Sequence, residues 1–207
     1  MALDPITEVE LFHVALPPRR AHKWTGQTEP IGGYILVRLG DAAGRSGWGE
    51  ATALKDWAGD YGRYFGESPA TARLVIERYL TPAIRGVTAT NIVELHQRMD
   101  RATKGYPYAK AAVEIAAYDL AGVQLGVPAH MLLGGAARMR IPLSHSLGFM
   151  EFAEGEREAA KAVEEGIRTI KIKVGVDPDR DVEMVRRVRD TVGPGIAICI
   201  DANQGYA

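Results

Sequence analysis

Hydrophobic and polar residues alternate along much of the first 66 residues, which is the pattern of β-strands. Residues 9–13 show this alternation, and the apolar run 34–39 ends at a Gly-Asp-Ala-Ala-Gly turn. Residues 46–50 have the composition of a returning strand, so we predict a small antiparallel meander. Residues 17–26 lie between its first two strands, lack periodicity and mix basic with aromatic residues. We expect them to form a loop that is either mobile or a lid over a site.

Between Ser68 and Gly126 the apolar residues recur with a helical period. Ser68 followed by Pro69 is a favourable N-cap and first-turn pair, and further helices are predicted over residues 91–101 and 109–125. The last helix should end at Gly126, and its many alanines indicate close contact between helices. The apolar stripes assigned to the first and last of these helices are Leu74, Val75, Tyr79 and Leu80, and Ala112, Ile115, Ala116, Leu120 and Val123.

After residue 135 the pattern changes to strands that alternate with helices. Strands are predicted at 141–147, 168–174 and 196–201, and a helix over 152–165 separates the first two. The next helix begins at Asp177-Pro178, carries Val182, Val185, Val188 and Val192, and ends at Gly193. Strands joined by helices of this length form right-handed parallel units, and isoleucines on one face with small and functional residues on the other favour a closed parallel barrel. Three such strands are predicted, whereas a barrel needs about eight.

Composition narrows the class of protein. Of the 207 residues, 46% are hydrophobic and 25% charged, and the net charge of −1 gives no argument for binding nucleic acid or an anionic membrane. Cys199 is the only cysteine, so a reducing compartment fits best, and without a histidine partner it is predicted to be an inert packing residue. The first residues lack the features of a signal peptide, and no run approaches about 18 apolar residues. We therefore expect a soluble cytoplasmic protein that binds neither nucleic acid nor membrane.

Lys171 and Lys173 are the most informative residues, because alternate side chains of a strand share a face. Asp201 lies 28 residues after Lys173, in the next predicted strand. Asp201 and Asn203 share a face of that strand. The carboxyl ends of parallel barrel strands carry chemistry, and a carboxylate there is a natural Mg²⁺ ligand. We expect repulsion and burial to lower the pKa of one lysine, so that it removes a proton next to a carboxylate as a neutral base. The alternatives are an exposed lysine face, and capping of the next helix by Asp201 and Asn203.

Other polar and aromatic residues are further candidates. The Ser144-His145-Ser146 stretch is predicted to end the first parallel strand. Ser144 and His145 are candidates for contact with the substrate, and the alternative for His145 is a hydrogen-bonded core residue. Trp24 and Tyr34 lie in or beside the predicted lid, and either contact the substrate or belong to a plain surface loop. Trp48 is predicted to lie in the core of the first region.

These motifs occur in an order and spacing that is similar to a known family. From about residue 6 to residue 206, the chain resembles the first half of a mandelate racemase/muconate lactonizing enzyme member of the enolase superfamily. The stretches that carry the resemblance are Gly47-Trp48-Gly49-Glu50, Tyr108-Ala109-Lys110, Asp119-Leu120-Ala121-Gly122, Leu132-Leu133-Gly134-Gly135, Lys171-x-Lys173 and Asp201-Ala202-Asn203.

The resemblance implies an α+β capping domain over residues 1–136, followed by the first three units of a modified TIM (β/α) barrel over residues 137–207. It implies Lys173 as an acid/base with Lys171 as its partner. It also implies Asp201 as the first of three carboxylates that bind Mg²⁺, or Mn²⁺ as an alternative, and Asn203 as a residue that orients a lysine or the substrate.

The implied reaction is Mg²⁺-dependent abstraction of a proton α to a carboxylate through an enediolate, on a small carboxylate substrate. A cycloisomerase or a racemase/epimerase fits this chemistry, and a dehydratase of hydroxy or sugar acids is the alternative. Family members tend to assemble symmetrically, so a homo-oligomer is expected of the complete protein.

The chain departs from the family pattern in what it lacks. The remaining metal carboxylates and the second acid/base come from later strands in this family, so we expect a truncated barrel and no activity from residues 1–207 alone. One aspartate will not hold Mg²⁺ tightly, because hard-cation sites gather several oxygens. A catalytically inactive half-barrel, serving as an assembly module or arising by truncation, is therefore a second hypothesis.

Overall fold

In the computed structural model the chain is described over residues 3–17, 33–54, 66–203 and 205–206. These residues fall into two compact units, one formed by residues 3–17 with 33–137 and the other by the described residues from 138 onward. Each unit has its own hydrophobic core.

The first unit contains an antiparallel sheet of strands β1 (Ile6–Ala15), β2 (Gly33–Asp41) and β3 (Ser46–Ala51), in that order. Leu11 pairs with Val37, and Val37 pairs with Gly49, so the three strands form the predicted meander. Alternate residues of β2 are fully buried, as expected when one face of a sheet covers a core.

Two glycines of β3 allow an unusually close approach between the sheet and helix α4 (Pro107–Leu125). A Cβ atom at Gly47 would lie 2.1 Å from the backbone nitrogen of Leu120, and one at Gly49 would lie 2.0 Å from the carbonyl oxygen of Ala112. The alanines of α4 therefore allow close contact with the sheet, in addition to the contact with other helices that the sequence predicts.

Two further helices of this unit begin where the sequence predicts. Helix α1 (Pro69–Val75) begins at Ser68, which forms a capping box with Thr71, and helix α3 (Ile92–Ala102) is capped by Asn91. Between them lie a π-helical turn (Ile76–Leu80) and a short helix α2 (Thr81–Ile84). Helix α5 (Ala129–Leu132) follows α4, which ends at Gly126 with φ of 70°.

The apolar stripes predicted for α1 and α4 are only partly correct. Five residues of these stripes are buried and four are exposed. The buried ones are Val75, Leu80, Ala112, Ala116 and Leu120, and the exposed ones are Leu74, Tyr79, Ile115 and Val123. The buried face of each helix is therefore narrower than the set of apolar residues in its sequence.

A buried carboxylate binds the amino end of α4. Glu67 accepts hydrogen bonds from the backbone N–H groups of Tyr108 at 2.7 Å and Ala109 at 2.9 Å. Its own N–H donates to the carbonyl oxygen of Leu54 at 3.2 Å. Burial raises the pKa of the Glu67 carboxyl, and the two backbone donors oppose that effect.

The second unit alternates strands and helices: β4 (His145–Leu147), α6 (Phe152–Glu164), β5 (Thr169–Lys173), α7 (Pro178–Val192) and β6 (Ala197–Asp201). The three strands are parallel and ordered β4-β5-β6, as predicted. Asp177 caps α7, and Gly193 follows its last residue.

Two predictions for this unit are wrong in detail. β4 begins at His145 and not at residue 141, and the side chains of Ile141 and Leu143 are exposed. Of the predicted valine stripe on α7, Val188 is buried but Val182 is exposed, and Asp181 and Met184 are buried in addition.

The core of the second unit lies between the strands and the helices. Ile170, Ile172 and Val174 are buried against residues of α6 and α7, including Ala159 and Val188. Ile198 packs against this core, whereas Ile200 on β6 is exposed. No helix in the described part of the chain is long and apolar enough to cross a membrane.

Candidate active site

The strand register of the second unit brings the predicted catalytic residues together. Lys171 aligns with Cys199 and Lys173 aligns with Asp201 across β5 and β6. These side chains alternate with the buried isoleucines, so they project from the face opposite the helices. Lys173 and Asp201 are the last residues of their strands, at the carboxyl edge of the parallel sheet.

Both lysines converge on one carboxylate oxygen. The Nζ atoms of Lys171 and Lys173 each lie 2.7 Å from Oδ2 of Asp201. Lys173 also donates a short hydrogen bond to Oδ1 of Asn203, and the N–H of Asn203 donates to Oδ1 of Asp201 at 2.9 Å. Lys173 is the more enclosed lysine, with 9% of its side chain exposed against 34% for Lys171.

The backbone fixes these side chains from both strands. The N–H of Val174 donates to the carbonyl oxygen of Asp201 at 3.0 Å, which extends the pairing of β5 and β6 past Lys173. Asn203 has a φ of 45°, a left-handed conformation that asparagine tolerates better than most residues. This conformation places the amide beside Lys173, and the orienting role expected of Asn203 stays a prediction.

The charges of the site stabilise one another. Hydrogen bonds from Lys171 and then Lys173 hold the pKa of Asp201 well below its usual range. The hydrogen bond to Asp201 raises the pKa of Lys171. The expectation that repulsion between lysines would lower a lysine pKa is therefore wrong for Lys171, because the shared carboxylate outweighs the repulsion.

Ser144 and His145 lie away from this cluster. Ser144 precedes β4, and His145 is its first residue and aligns with Ile170, three residues before Lys173. His145 shares the helix-facing side with Ile170, and its Nε2 lies 2.7 Å from Oε1 of Glu158 on α6. The prediction that they end the strand is wrong, and the hydrogen-bonded alternative is the one that the structure favours for His145.

The aromatic candidates belong to the first unit or to residues that are not described. Tyr34 lies on β2, pairs with Val14 and is partly buried. Trp24 lies outside the described residues. Trp48 was predicted to be core but is 44% exposed, because it projects from the sheet face opposite α4 and stacks beside Phe12 with ring centroids 5.5 Å apart.

Sequence reasoning missed residues that only the register and the tertiary fold reveal. Ser146 aligns with Lys171 and therefore shares its face. Asp181 on α7 is buried and accepts hydrogen bonds from Gly175 and Tyr206, in the segments that follow β5 and β6. Strand alternation could have suggested Ser146 once the start of β4 was known, but nothing in the sequence marks Asp181 as different from its acidic neighbours.

The described residues supply part of a site for a hard cation. Asp201 is an ionised carboxylate at the carboxyl end of a strand, which suits Mg²⁺. Within the described ranges, no three His, Cys, Asp or Glu side chains lie close enough together to hold a metal ion. Among the described residues, Asp201 is therefore a single carboxylate that could serve as a cation ligand.

Two family models match the chain. The mandelate racemase / muconate lactonizing enzyme N-terminal domain matches residues 6–134, and the enolase C-terminal domain-like model matches residues 154–207. The chain belongs to the mandelate racemase/muconate lactonizing enzyme family. The resemblance expected from the sequence motifs is thereby confirmed.

Relatives in this family share the whole length of the chain. The N-succinyl-L-Arg/Lys racemase of Bacillus cereus is 33% identical over 201 residues, which cover 97% of this chain and 53% of the relative. Muconate cycloisomerase 1 of Acinetobacter baylyi is 29% identical over 202 residues, covering 96% and 53%. The chain thus spans about half the length of the curated relatives it matches.

Solved structures of the family share the fold of this chain over about half of their own length. The chain matches N-succinyl Arg/Lys racemase from Bacillus cereus with a TM-score of 0.88 and 32% identity, over 97% of this chain and 53% of that one. Muconate lactonizing enzyme from Pseudomonas fluorescens, complexed with muconolactone, matches with a TM-score of 0.87 and 31% identity over 100% and 55%. A dipeptide epimerase from Cytophaga hutchinsonii, complexed with Mg and the dipeptide D-Ala-L-Val, gives a TM-score of 0.86 and 30% identity over 98% and 53%. The relatives are thus racemases, epimerases and cycloisomerases.

Proposed function

We propose that the full-length protein containing this chain abstracts a proton α to a carboxylate through an enediolate, as a racemase/epimerase or a cycloisomerase. The observation that carries the proposal is the convergence of Lys171 and Lys173 on Oδ2 of Asp201 at the carboxyl edge of the parallel strands. The racemases, epimerases and cycloisomerases among the relatives support the same reaction class.

The geometry suits Lys173 as the group that moves the proton. In its neutral form the amine would accept the α-proton of a carboxylate substrate. The resulting ammonium would be stabilised by the oxygens of Asp201 and Asn203, which already accept hydrogen bonds from Nζ. Lys171, whose pKa is raised, stays charged and adds positive charge beside the substrate carboxylate.

Magnesium dependence is part of the proposal. When bound, Mg²⁺ would supply positive charge that stabilises negative charge developing on the substrate carboxylate. Asp201 would provide one of its ligands, as an ionised carboxylate whose position is fixed by the N–H of Asn203 and the strand pairing.

Solvent-deuterium exchange tests the proposal in the full-length protein. N-succinyl-L-arginine, D-Ala-L-Val and muconolactone are suitable carboxylate probes, and incorporation of deuterium at the α-carbon is followed by mass spectrometry in D₂O. K173A should lower the exchange rate by at least about 10³-fold, because the acid/base is removed. Lys161→Ala is the matched control, since Lys161 is an exposed lysine on α6.

The outcomes separate the candidate functions. Exchange that survives K173A would refute the assignment of Lys173. Deuterium incorporation without loss of water identifies a racemase, epimerase or cycloisomerase, whereas loss of water from an added hydroxy-acid or sugar-acid probe identifies a dehydratase. A wild-type protein that exchanges none of the probes and does not bind Mg²⁺ would support the second hypothesis of an inactive half-barrel.

A further inference from the structure

A buried carboxylate of α7 has no role in the chemistry described above. Asp181 lies in the first turn of the helix and is 4% exposed. It is not needed to cap the helix, because Asp177 already accepts hydrogen bonds from the N–H groups of Asp179 and Arg180. A carboxylate is buried at a cost in free energy, so its hydrogen-bond partners show what it stabilises.

The first partner follows the catalytic lysine. The N–H of Gly175 donates to Oδ2 of Asp181 at 2.8 Å, in a buried position two residues after Lys173. Gly175 has a φ of 113°, which favours glycine, so the chain turns sharply at this point. The preceding N–H, of Val174, donates to the carbonyl oxygen of Asp201.

The second partner follows the carboxylate of the site. The hydroxyl of Tyr206 donates to the same Oδ2 atom at 2.7 Å. Tyr206 lies five residues after Asp201, and Gly205 beside it donates its N–H to the carbonyl oxygen of Ala202 at 2.7 Å. About half of Tyr206 is exposed, and its hydroxyl is directed to the buried carboxylate.

We propose that Asp181 is a positioning residue that sets the placement of Lys173 relative to Asp201. Its Oδ2 atom ties the segment after β5 to the segment after β6. The first segment follows Lys173, the proposed base, and the second follows Asp201, the carboxylate paired with it. The proposal rests on the proposed function, because placement matters only if Lys173 transfers a proton. Small displacements of a catalytic group can lower a rate by about 100-fold.

The geometric part is tested by hydrogen–deuterium exchange of the full-length protein, read by mass spectrometry on peptides covering 172–176 and 200–206. Asp181→Ala should raise the amide exchange rate at least about 10-fold in both peptides, because the hydrogen bonds from Gly175 and Tyr206 are both lost. Asp181→Asn keeps an acceptor oxygen and should stay within about 3-fold of the wild type. Val188→Ala is the matched control, because Val188 is buried on the same helix without contacting either segment through a hydrogen bond.

The catalytic part is tested by kinetics below the unfolding temperature of every variant. D181A should lower kcat about 10- to 100-fold with KM within about 3-fold, whereas V188A should change neither by more than about 2-fold. A purely structural role would make D181A and V188A alike once both are folded. Rescue by D181N would show that the acceptor oxygen, and not the negative charge, is what matters.

Two results would overturn the proposal. Unchanged amide exchange in both peptides of D181A would show that the carboxylate does not hold the two segments. An unchanged kcat would show that the segments do not position Lys173. If the wild-type protein incorporates deuterium into none of the carboxylate probes, the proposed function is refuted independently of the positioning role of Asp181. The placement of Lys173 is then read from its Nζ signal in ¹⁵N-lysine NMR, identified by its loss in K173A. A signal that moves in D181A but not in V188A supports positioning, and one that moves in neither refutes it.

Discussion

At Gly49 the backbone of β3 lies so close to α4 that a methyl group does not fit. The nearest atom to a new Cβ would be the carbonyl oxygen of Ala112, a backbone atom that cannot rotate away. We predict that Gly49→Ala lowers the free energy of unfolding by about 3 kcal/mol, as overpacking against fixed atoms does. Urea denaturation followed by circular dichroism measures the change.

Gly195 provides the control for this substitution, because no described atom beyond its two chain neighbours lies within 4 Å of its ideal Cβ position. Gly195→Ala should change the free energy of unfolding by less than about 0.5 kcal/mol. A similar loss for both variants would mean that the contact between β3 and α4 is looser than the structure shows.

The ionisation of Asp41 makes the free energy of unfolding depend on pH in the acid range. Burial raises its pKa, but hydrogen bonds from Gln124 and from the backbone and guanidinium of Arg45 outweigh burial, so the pKa lies below its usual value. A carboxylate whose pKa is lower in the folded than in the unfolded chain stabilises the fold above about pH 4. That contribution is lost as the pH falls through the folded pKa.

We therefore predict that Asp41→Asn destabilises the chain at pH 7 more than it does in acid. The free energy of unfolding of wild type and variant should converge as the pH falls below about 4. Urea denaturation across the pH range measures the gap, and a gap that stays constant would show that the ionised form of Asp41 does not carry the stability.

The residues of the site show what sequence can and cannot specify at this scale. Strand alternation and one strand–helix–strand repeat predict that Lys173 and Asp201 meet. Alternation does not reveal that both lysines share a single oxygen of Asp201, and this sharing is why the pKa of Lys171 is raised and not lowered. Charge effects at short range depend on which atoms touch, and that depends on the folded chain.

At the scale of elements, the amino end of α4 depends on a residue far away in sequence. Glu67 accepts hydrogen bonds from the N–H groups of Tyr108 and Ala109, which the helix itself leaves without partners. We predict that Glu67→Ala lowers the free energy of unfolding by about 2 to 3 kcal/mol, because a buried donor loses its acceptor. Thermal unfolding measures the loss.

Glu77→Ala is the matched control, because Glu77 is an exposed glutamate paired with Arg73 on the helix surface. It should cost less than about 0.5 kcal/mol. Equal losses would show that Glu67 acts only as a surface charge near the helix.

Element boundaries were predicted well where a cap or a glycine marks them. Helices begin at Ser68, Asn91 and Asp177 and one ends at Gly126, as expected. These preferences come from local backbone chemistry. The buried face of a helix was predicted less well. Ile115 is more hydrophobic than Ala112 yet is exposed, since the glycines of β3 admit only a small residue at the closest approach.

At the scale of the whole molecule, the carboxylates of the described residues limit what the chain can bind. Asp201 is one oxygen ligand, and hard cations gather about six to eight. We predict that titration calorimetry of Mg²⁺ into the 207-residue chain shows no binding tighter than about 1 mM. Sub-millimolar binding that Asp201→Asn abolishes would contradict this prediction and would point to ligands outside the described ranges.

The large-scale order of the chain was predictable, and its finer arrangement was not. A meander, a group of helices and alternating parallel units follow from periodicity alone. The start of β4 was misplaced because residues 141–144 are apolar enough to resemble a strand although only residues from 145 onward pair with β5. Pairing is a property of two segments, and a single apolar run carries no information about its partner.

The π-helical turn at Ile76–Leu80 determines where the first unit can lose a residue. A π-turn holds one more residue than an α-helical turn, so removing one residue there would let α1 continue as a regular α-helix. The wider turn already absorbs the extra residue, so the positions after it, including the fully buried Ile84, would keep facing the core. Each residue of an α-helix turns by about 100°, so a deletion within α1 would instead rotate Ile84 away from the core. A one-residue deletion should therefore be tolerated better within this turn than within α1.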